Sequence, residues 1–217
     1  GHPLANKISL KSNMFKYRKI LKLDRKDLVI ALLPGSRMGE LKAHSDVLLE
    51  TAQNLLEVYP NARFLIPVNN DTNMSFIEAR VKNNPTKNLK LIKGKVDEIL
   101  SSSNMAIAAS GTASLQIALH KKPMIIIYKG SWVYYFVWKM VRLIPHVSLP
   151  NILLNEDIVP EMLQHRATPN LLSKKACEII RDKRYLKKIE SKFYKLHKDL
   201  KKNTSSLVIK VIKPHLK

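Results

Sequence analysis

Two glycine-containing turns carry the residues best suited to bind a charged ligand. Residues 35–37 read Gly-Ser-Arg and residues 110–112 read Ser-Gly-Thr, and each turn follows an apolar run and precedes a helical pattern. Backbone N–H groups at the start of a helix, together with the helix dipole, form an anion site. Gly35 would bring main chain close to a ligand, and Arg37 adds a planar set of donors that fits phosphate. The alternative is two ordinary strand-to-helix turns with a surface arginine.

The elements that must position these turns alternate between short apolar strands and helical patterns. Such alternation predicts repeated β-α-β units and a parallel sheet, and continuous apolar runs are typical of strands covered on both faces. We predict a doubly wound α/β domain over about residues 24–170, a connector over 1–23 and a basic helical extension over 171–217. The predicted strands are 28–33, 63–68, 89–92, 105–109 and 124–128. The predicted helices include 15–21, 40–58, 113–120 and 131–143. Another predicted helix is capped by Asp71 or Thr72, and a pair of helices follows Thr168.

The position of the two turns in this fold indicates what they bind. In doubly wound sheets, ligands lie at the carboxyl ends of the strands, where the strand order reverses. Both turns lie at such ends, which together predict a nucleotide or diphosphate site. Neither turn has the longer glycine loop and Gly-Lys-Ser/Thr of a P-loop, and neither completes a dinucleotide-binding fingerprint. The sequence therefore argues against an ATPase and against an NAD-dependent enzyme.

Two amide side chains are further candidates for ligand contact. Gln116 lies one helical turn beyond Thr112, where its amide could hold a ribose hydroxyl or be a partly exposed helix residue. Asn151 follows Pro150 in a predicted turn, where its amide could bind a ligand or close an Asx turn. Spacing alone leaves both alternatives open.

Catalytic and metal-binding patterns give no further candidate. The 7 histidines are scattered along the chain, and no group of His, Cys, Asp and Glu has the spacing of metal ligands. No Ser-His-Asp or Cys-His arrangement can be argued, and no pair of carboxylates stands out as acid and base. We predict neither a metal nor a cofactor.

The charge of the chain predicts an anionic partner. It carries 38 Lys and Arg against 17 Asp and Glu, a net charge of +21 in 217 residues. Nucleic acid, acidic lipid headgroups and phosphorylated substrates all satisfy such an excess. The lysines concentrate before residue 23 and after residue 182, where they could be solvated helix faces, and no nucleic-acid-binding motif is present. We therefore predict attraction to an anionic membrane surface rather than to nucleic acid.

Two further residues, the single cysteine and the first residue, bear on the cellular compartment and on whether a further region is expected. Cys177 is the only cysteine, which excludes an internal disulfide framework and fits a reducing compartment. The chain begins with Gly1 and has no signal peptide at its start. We expect a fragment or a processed chain whose catalytic partner region lies elsewhere.

The predicted helix over 131–143 has an unusual face. Trp132, Tyr135, Lys139 and Arg142 fall on one side of it, opposite a stripe of apolar residues. It is too short and too charged to span a bilayer. A face that mixes aromatic rings with cations suits a membrane interface, and a helix packed on two sides is the alternative.

Several motifs together resemble the lipid-A-disaccharide synthase family. The first is Leu-Leu-Pro-Gly-Ser-Arg at 32–37 with Glu40, and the second is Ala-Ala-Ser-Gly-Thr-Ala-Ser-Leu at 108–115. Segments 123–129, 147–153 and 158–164 follow in the family's order and spacing, and the opening Gly-His-Pro-Leu resembles the point where the family's chain enters its second domain. The resemblance covers roughly residues 1–170.

The resemblance implies a metal-independent, inverting glycosyltransferase of the two-domain B-type fold, of which this chain is the C-terminal, donor-binding half. Such an enzyme joins UDP-2,3-diacylglucosamine to 2,3-diacylglucosamine 1-phosphate (lipid X) and releases UDP. Its general base lies in the N-terminal half, and it works in the cytoplasm at the anionic surface of the inner membrane. The implied site residues are Gly35, Ser36 and Arg37 at the diphosphate, with Arg37 stabilising charge; Ser110, Gly111 and Thr112 around the phosphates; and Gln116, Asn151 and Gln164 near the donor.

The sequence departs from the family pattern at two positions. Gln116 stands where a glutamate is usual, and Asn104 stands where an aspartate is usual before the fourth strand. The glutamate commonly holds the ribose in B-type transferases, and an amide can make the same contact. Two alternatives stay open: another B-type enzyme, such as a UDP-N-acetylglucosamine epimerase or a peptidoglycan-pathway transferase, and a basic nucleic-acid-binding module.

Overall fold

The computed structural model describes residues 1–130 and 146–202, so the helix predicted over 131–143, with its aromatic and cationic face, lies outside the described residues. Within those two ranges no helix combines the length and apolarity needed to cross a bilayer.

In chain order the elements are α1 (Pro3–Lys7), α2 (Met14–Ile20), β1 (Val29–Leu33), α3 (Met38–Val58), β2 (Arg63–Val68), α4 (Asp71–Asn83), β3 (Leu89–Lys93), α5 (Val96–Ser102), β4 (Met105–Ala109), α6 (Thr112–Leu119), β5 (Met124–Tyr128), α7 (Leu149–Leu154), β6 (Glu161–Leu163), a 3-10 turn (Gln164–Arg166), α8 (Pro169–Arg181) and α9 (Lys183–Leu200).

The described strands form one sheet in the order β3-β2-β1-β4-β5-β6, and every neighbouring pair is parallel. The chain starts in the middle of the sheet and builds one side of it through β2 and β3. It then returns to β4 on the other side of β1, so the strand order reverses between β1 and β4. This is the doubly wound α/β class that the sequence predicts, and the prediction is confirmed.

The helices that follow β1 and β4 pack on opposite faces of the sheet. Because side chains alternate along a strand, Ile30 and Leu32 of β1 face the core that contains Leu48 of α3. Leu33 of β1 faces the other core, which contains Ile117 of α6. The divergence of α3 and α6 from adjacent strands leaves a crevice between their N-terminal ends.

The last two helices complete both cores. The side chains that they contribute are Leu172, Ala176 and Ile179 from α8 on the α3 face, and Ile189, Phe193 and Leu196 from α9 on the α6 face. Phe193 is fully buried, and removing such a ring from a core costs about 3–5 kcal/mol. Through residue 200 the predicted extension over 171–217 therefore packs into the domain; the boundaries placed after residues 23 and 170 stay predictions.

The first and the last described segments are hydrogen-bonded to each other. The backbone N–H of His2 donates to the carbonyl of Leu200 at 3.0 Å, and Nδ2 of Asn6 donates to the carbonyl of Lys202 at 3.0 Å. His197 of α9 is fully buried, and its Nε2 lies 2.9 Å from the carbonyl of Ala5, which can only accept. Burial lowers the pKa of His197, consistent with a neutral ring that fixes the N-terminal segment to α9.

A buried arginine attaches α2 to the sheet. Arg18 is only 2% exposed, and its guanidinium donates to the carbonyls of Ser102, Asp24 and Arg25. It also donates to Oδ1 of Asn104 at 2.8 Å, and the same oxygen accepts the N–H of Val29 at the start of β1. Burial lowers the pKa of Arg18, although the negative charge of Asp27 acts in the opposite direction.

Two helix starts differ from the prediction. Helix α3 begins at Met38 rather than at residue 40, because Glu40 already accepts hydrogen bonds from the backbone before it. The cap of α4 is Asn70, not Asp71 or Thr72: Oδ1 of Asn70 accepts the N–H of Asn73 at 2.8 Å. A polar run with several good capping residues does not itself show which of them caps.

Replacing Asn104 with Asp should raise the free energy of unfolding by about 1 kcal/mol, because a hydrogen bond between charged partners is stronger than one to a neutral amide. Asn104 is itself exposed, so the carboxylate would be only weakly desolvated while it neutralises the buried Arg18. Urea unfolding measures the change. The control is Asn88→Asp, which faces the part-exposed Arg63 and should change stability by less than about 0.5 kcal/mol. A lower stability of Asn104→Asp would contradict this account of Arg18.

Candidate functional site

A cavity of about 380 Å³ opens at the carboxyl ends of β1 and β4. Both glycine turns line it, because β1 and β4 are neighbours whose residues Leu33 and Ala108 pair in register. The predicted site residues that line the cavity are Gly35, Ser36, Arg37, Ser110, Gly111, Thr112 and Gln116. The prediction that the two turns come together is confirmed; what they bind stays a prediction.

The first turn is occupied by a carboxylate of its own chain. Oε2 of Glu40 accepts the N–H of Ser36 at 2.8 Å and the N–H of Arg37 at 3.2 Å. Gly35 has φ +113, and a Cβ added there would collide with the Glu40 side chain, so only glycine fits. The expectation that these N–H groups are free to bind an anion is therefore wrong for Ser36 and Arg37. The Arg37 side chain is 86% exposed and forms only a long contact of 3.5 Å with Glu40.

The second turn leaves its helix N-terminus open. Gly111, at φ +147, is the N-cap residue of α6, and no side chain caps this helix. The uncapped first turn of α6 lies at the cavity, where its N–H groups and the positive end of the helix dipole favour an anion. Ser110 shapes the turn, because its hydroxyl donates to the carbonyl of Val147 at 3.0 Å. Of the two turns, this is the one whose helix N-terminus is not already capped by a side chain of its own chain.

Gln116 is oriented by a neighbouring carboxylate. Its Nε2 donates to Oδ1 of Asp97 at 2.8 Å, and since a carboxylate only accepts, the amide oxygen of Gln116 remains available to accept from a ligand hydroxyl. The same Asp97 oxygen accepts Nε2–H of His120 at 2.9 Å, while Nδ1 of His120 lies 3.1 Å from the hydroxyl of Ser101. The hydrogen bond from His120, with a smaller one from Gln116, lowers the pKa of Asp97.

A buried histidine joins the first turn to the end of β5. Nδ1 of His44 lies 3.0 Å from the carbonyl of Pro34, and Nε2 lies 3.0 Å from the N–H of Lys129. A carbonyl can only accept and an N–H can only donate, so His44 is neutral with its proton on Nδ1. Burial is the main cause that lowers the pKa of His44. The ring therefore stabilises the turn in front of Gly35 without taking part in the cavity.

Asn151 does not reach the cavity. It is fully buried, and its amide nitrogen donates to the carbonyl of Val159 and to Glu161, both at 2.9 Å. Its amide oxygen accepts the N–H groups of Ile158 and Val159. With its hydrogen-bonding capacity used inside the protein, Asn151 fixes the loop that leads into β6, and the donor contact implied by resemblance has no support in its position.

Gln164 is likewise a structural residue, at the edge of the sheet. It is 4% exposed with φ +49, and it does not line the cavity. Its amide pairs with the backbone of Gly130: Oε1 accepts the N–H and Nε2 donates to the carbonyl, each at 3.2 Å. The pair connects the end of β6 to the segment after β5, so a direct contact of Gln164 with a donor is not supported.

Three residues that shape the site were not predicted from spacing. Glu40 was noted only as part of the family motif. Its position in the first turn of a helix is the usual place for a capping acid, which is the signal that could have identified its role. His44 and Asp97 gave no signal, because their partners lie far away along the chain: 85 residues separate His44 from Lys129, and 23 separate Asp97 from His120. Only the folded structure brings these pairs together.

No group of three or more His, Cys, Asp and Glu side chains within residues 1–130 and 146–202 is placed to hold a metal ion. The groups at the cavity that favour an anion are an uncapped helix, a glycine turn and an exposed arginine.

Comparison with known families assigns the chain. A family profile described as lipid-A-disaccharide synthetase matches residues 1–212. The chain belongs to the lipid-A-disaccharide synthase family. The match extends beyond residue 170, where the motifs become less distinctive, and so includes α8 and α9.

Relatives named lipid-A-disaccharide synthase cover most or all of this chain. The protein from Methylobacillus flagellatus is 34% identical over 100% of this chain and 58% of its own length, and the one from Neisseria meningitidis serogroup C is 36% identical over 98% and 56%. The one from Pseudomonas paraeruginosa is 37% identical over 80% of this chain and 46% of its own length. The chain spans about half the length of the synthases it matches.

Solved structures show the same fold. The C-terminal domain of a group 1 family glycosyl transferase from Francisella tularensis superposes with a TM-score of 0.63 at 14% identity, covering 94% of this chain and all of that domain. A UDP-GlcNAc 2-epimerase from Neisseria meningitidis, solved with UDP-GlcNAc bound, gives 0.62 at 13% identity over 92% of this chain and 48% of its own. The fold is that of the Rossmann-like half of B-type glycosyltransferases.

Replacing His44 with Gln should flatten the dependence of stability on pH. Because the pKa of His44 is lowered in the fold, the unfolded chain takes up a proton first as pH falls below about 6.5. His44 thus contributes stability above that pH, and this stability is lost on acidification at up to about 1.4 kcal/mol per pH unit. Gln keeps one donor and one acceptor and does not titrate. Urea unfolding between pH 7.5 and 5.5 measures the slope.

The control for this experiment is Asn54→Gln on the same helix, which changes no titratable group and should leave the slope unchanged. His197 also has a lowered pKa, so part of the slope should survive in His44→Gln. Identical slopes for the wild type and His44→Gln would show that the ring titrates alike in the folded and unfolded chains.

Proposed function

We propose that this chain binds the UDP-sugar donor of a glycosyltransferase, with the diphosphate at the N-terminus of α6. The observation that carries the proposal is the uncapped first turn of α6 in a cavity that also holds the exposed Arg37. An anion there gains N–H hydrogen bonds and the favourable end of the helix dipole. Glu40 keeps the first turn closed to a second anion, so Arg37 contributes through its side chain and not through its backbone.

The ribose of the donor lies against Gln116 in this proposal. The carboxylate of Asp97 holds the amide nitrogen, so the amide oxygen is the group left to accept from a ribose hydroxyl. The pair of Gln116 and Asp97 thereby supplies the acceptor that a glutamate provides elsewhere in the family. Thr112 and Ser110 border the phosphates, Ser110 through the shape that its hydrogen bond to Val147 gives the turn.

The reaction is an inverting glycosyl transfer. The acceptor hydroxyl oxygen forms a bond to the anomeric carbon of the donor, while the bond from that carbon to the β-phosphate oxygen breaks and its electron pair leaves with UDP. A base takes the hydroxyl proton, and we assign that base to the part of the relatives' length that this chain does not span. The α6 N-terminus and Arg37 stabilise the negative charge that grows on the leaving diphosphate.

Family membership supports the finer proposal of the substrates. The donor is UDP-2,3-diacylglucosamine, the acceptor is 2,3-diacylglucosamine 1-phosphate (lipid X), and the products are lipid A disaccharide 1-phosphate and UDP. Both substrates are acylated, so the enzyme must work where they reside. We propose that it lies in the cytoplasm against the anionic surface of the inner membrane, drawn there by its net charge of +21. The predicted aromatic and cationic face of 131–143 would add to this contact.

The binding site can be tested by titrating the chain with UDP and following backbone amide shifts. Thr112 and Ala113, at the start of α6, should shift most, while Ser36 should shift little because Glu40 already accepts its N–H. In Thr112→Glu the new acid favours the helix N-terminus but repels phosphate. Its affinity for UDP should fall more than tenfold relative to Thr112→Gln, the neutral control, without loss of stability. Equal affinities in the two variants would place the diphosphate elsewhere.

The role of Arg37 can be tested in the complete enzyme. Arg37→Ala should lower turnover more than tenfold, because the leaving UDP loses a cation that stabilises its charge. Arg37→Lys should recover part of the rate, since it keeps the charge without the planar pair of donors. The control is Arg184→Ala, an exposed arginine at the start of α9, far from the cavity. Near wild-type turnover of Arg37→Ala would remove this residue from the mechanism.

A further inference from the structure

A second cavity, of about 670 Å³, lies at the amino end of the sheet, opposite the cavity lined by the two glycine turns. Its position follows from the chain, because Lys121 and Lys122 line it and lie just before β5, whereas the cavity of the glycine turns lies beyond the carboxyl ends of β1 and β4. Lys11 from the segment before α2 and Lys187 from α9 also line it, with Glu190 as the acid on its wall. We call this the lysine cavity.

Lys122 is the buried cation of the lysine cavity. The residue is 7% exposed, and among the described residues no hydrogen bond or ion pair reaches its ammonium group, which keeps some contact with solvent. The charged groups that act on it are Arg18 and Lys121, which repel it, and Glu190, which attracts it without coming within ion-pair distance. Burial is the main cause that lowers the pKa of Lys122, to about 8. A charge of this kind is costly to keep inside a protein unless something pairs with it.

Lys121 is held in place by unusual backbone and side-chain geometry. It has φ +58 at the end of α6, a position that glycine or asparagine adopts far more easily than lysine. Its ammonium group donates to the carbonyl of Ser9 at 3.0 Å and contacts Nδ1 of His197 at 2.7 Å. The pKa of Lys121 is lowered to about 8, chiefly by burial. Two adjacent lysines are thus positioned at one wall of the cavity at a cost to the fold.

We propose that the lysine cavity binds a phosphate group carrying two negative charges, with Lys122 as its buried partner. Four lysines against one glutamate leave the cavity with an excess of positive charge that such a dianion would neutralise. Ammonium groups are compact charges suited to phosphate, and the hydroxyls of Ser12 and Ser191 line the same cavity as further donors. Binding here is separate from binding at α6, because the two cavities share no lining residue.

The phosphate could come from a soluble ion or from a lipid headgroup. The rim of the lysine cavity is partly apolar: Tyr194 lines it and is 44% exposed, and Leu10 and Met14 also line it. An apolar rim around a phosphate site is compatible with the acyl region of a lipid monoester and unnecessary for inorganic phosphate. The chemistry recognised is the same, and the experiment separates the two sources.

The test uses the 217-residue chain with inorganic phosphate, at an ionic strength kept constant with sodium chloride. Phosphate should shift the backbone amides of Lys121 and Lys122, and Lys122→Met should weaken phosphate binding at least tenfold by calorimetry. The matched control is Lys82→Met, an exposed lysine of α4, which should bind as the wild type does. Methionine fills the same buried space without a charge, so Lys122→Met should unfold at the same or a higher urea concentration, which excludes a folding defect.

Binding to vesicles then shows whether the phosphate comes from a lipid headgroup or from a soluble ion. The test vesicles contain phosphatidylcholine with phosphatidic acid, whose phosphate is a monoester. The reference vesicles contain phosphatidylglycerol instead, whose phosphate is a diester. If Lys122→Met weakens binding to the phosphatidic acid vesicles tenfold and leaves the phosphatidylglycerol vesicles unchanged, the ligand is a lipid headgroup. If it weakens only the binding of inorganic phosphate, the ligand is a soluble phosphate. Equal binding of every probe by the wild type and Lys122→Met overturns the proposal. UDP shifts at Thr112 are measured in the same samples and should not change in any of these variants.

Discussion

The structure depends on the parallel pairing of β1 with β4. These two strands are fully buried, they run in register to the same level, and the helices that follow them leave toward opposite faces of the sheet. An open crevice between the starts of α3 and α6 is the geometric result. Every side chain that we assign to the proposed donor site lines that crevice. The order of the strands therefore determines where the proposed site lies.

The two turns at the crevice look alike in sequence but differ in electrostatics. In the first, Glu40 accepts the backbone N–H groups, so the positive end of α3 is already neutralised by its own chain. In the second, Gly111 has no side chain, and the N–H groups of Thr112 and Ala113 have no partner among the described residues, although the N–H of Ser114 donates to the carbonyl of Gly111. The cavity therefore presents one uncapped helix N-terminus with an exposed arginine beside it, instead of two equivalent turns.

Much of the fold could be predicted from the sequence, and less of the site. Apolar runs between turn residues gave β2, β4 and β5 with their observed ends, because strands buried on both faces have an unbroken apolar pattern. The meeting of the two turns also followed from the fold class. The hydrogen bonds that shape the site could not be predicted, because they depend on how the segments fold and pack together. They include the closure of the first turn by Glu40, the orientation of Gln116 by Asp97, and the contacts of the buried Asn151. Motif resemblance therefore placed Asn151 and Gln164 in a pocket that they support from outside.

The hydrogen bonds from His2 to Leu200 and from Asn6 to Lys202 bring both extremes of the described chain to one spot on its surface. Since His197 also binds the carbonyl of Ala5, local unfolding of α9 would release the N-terminal segment with it. The first and last described segments therefore form one cooperative unit, although almost the whole chain separates them in sequence.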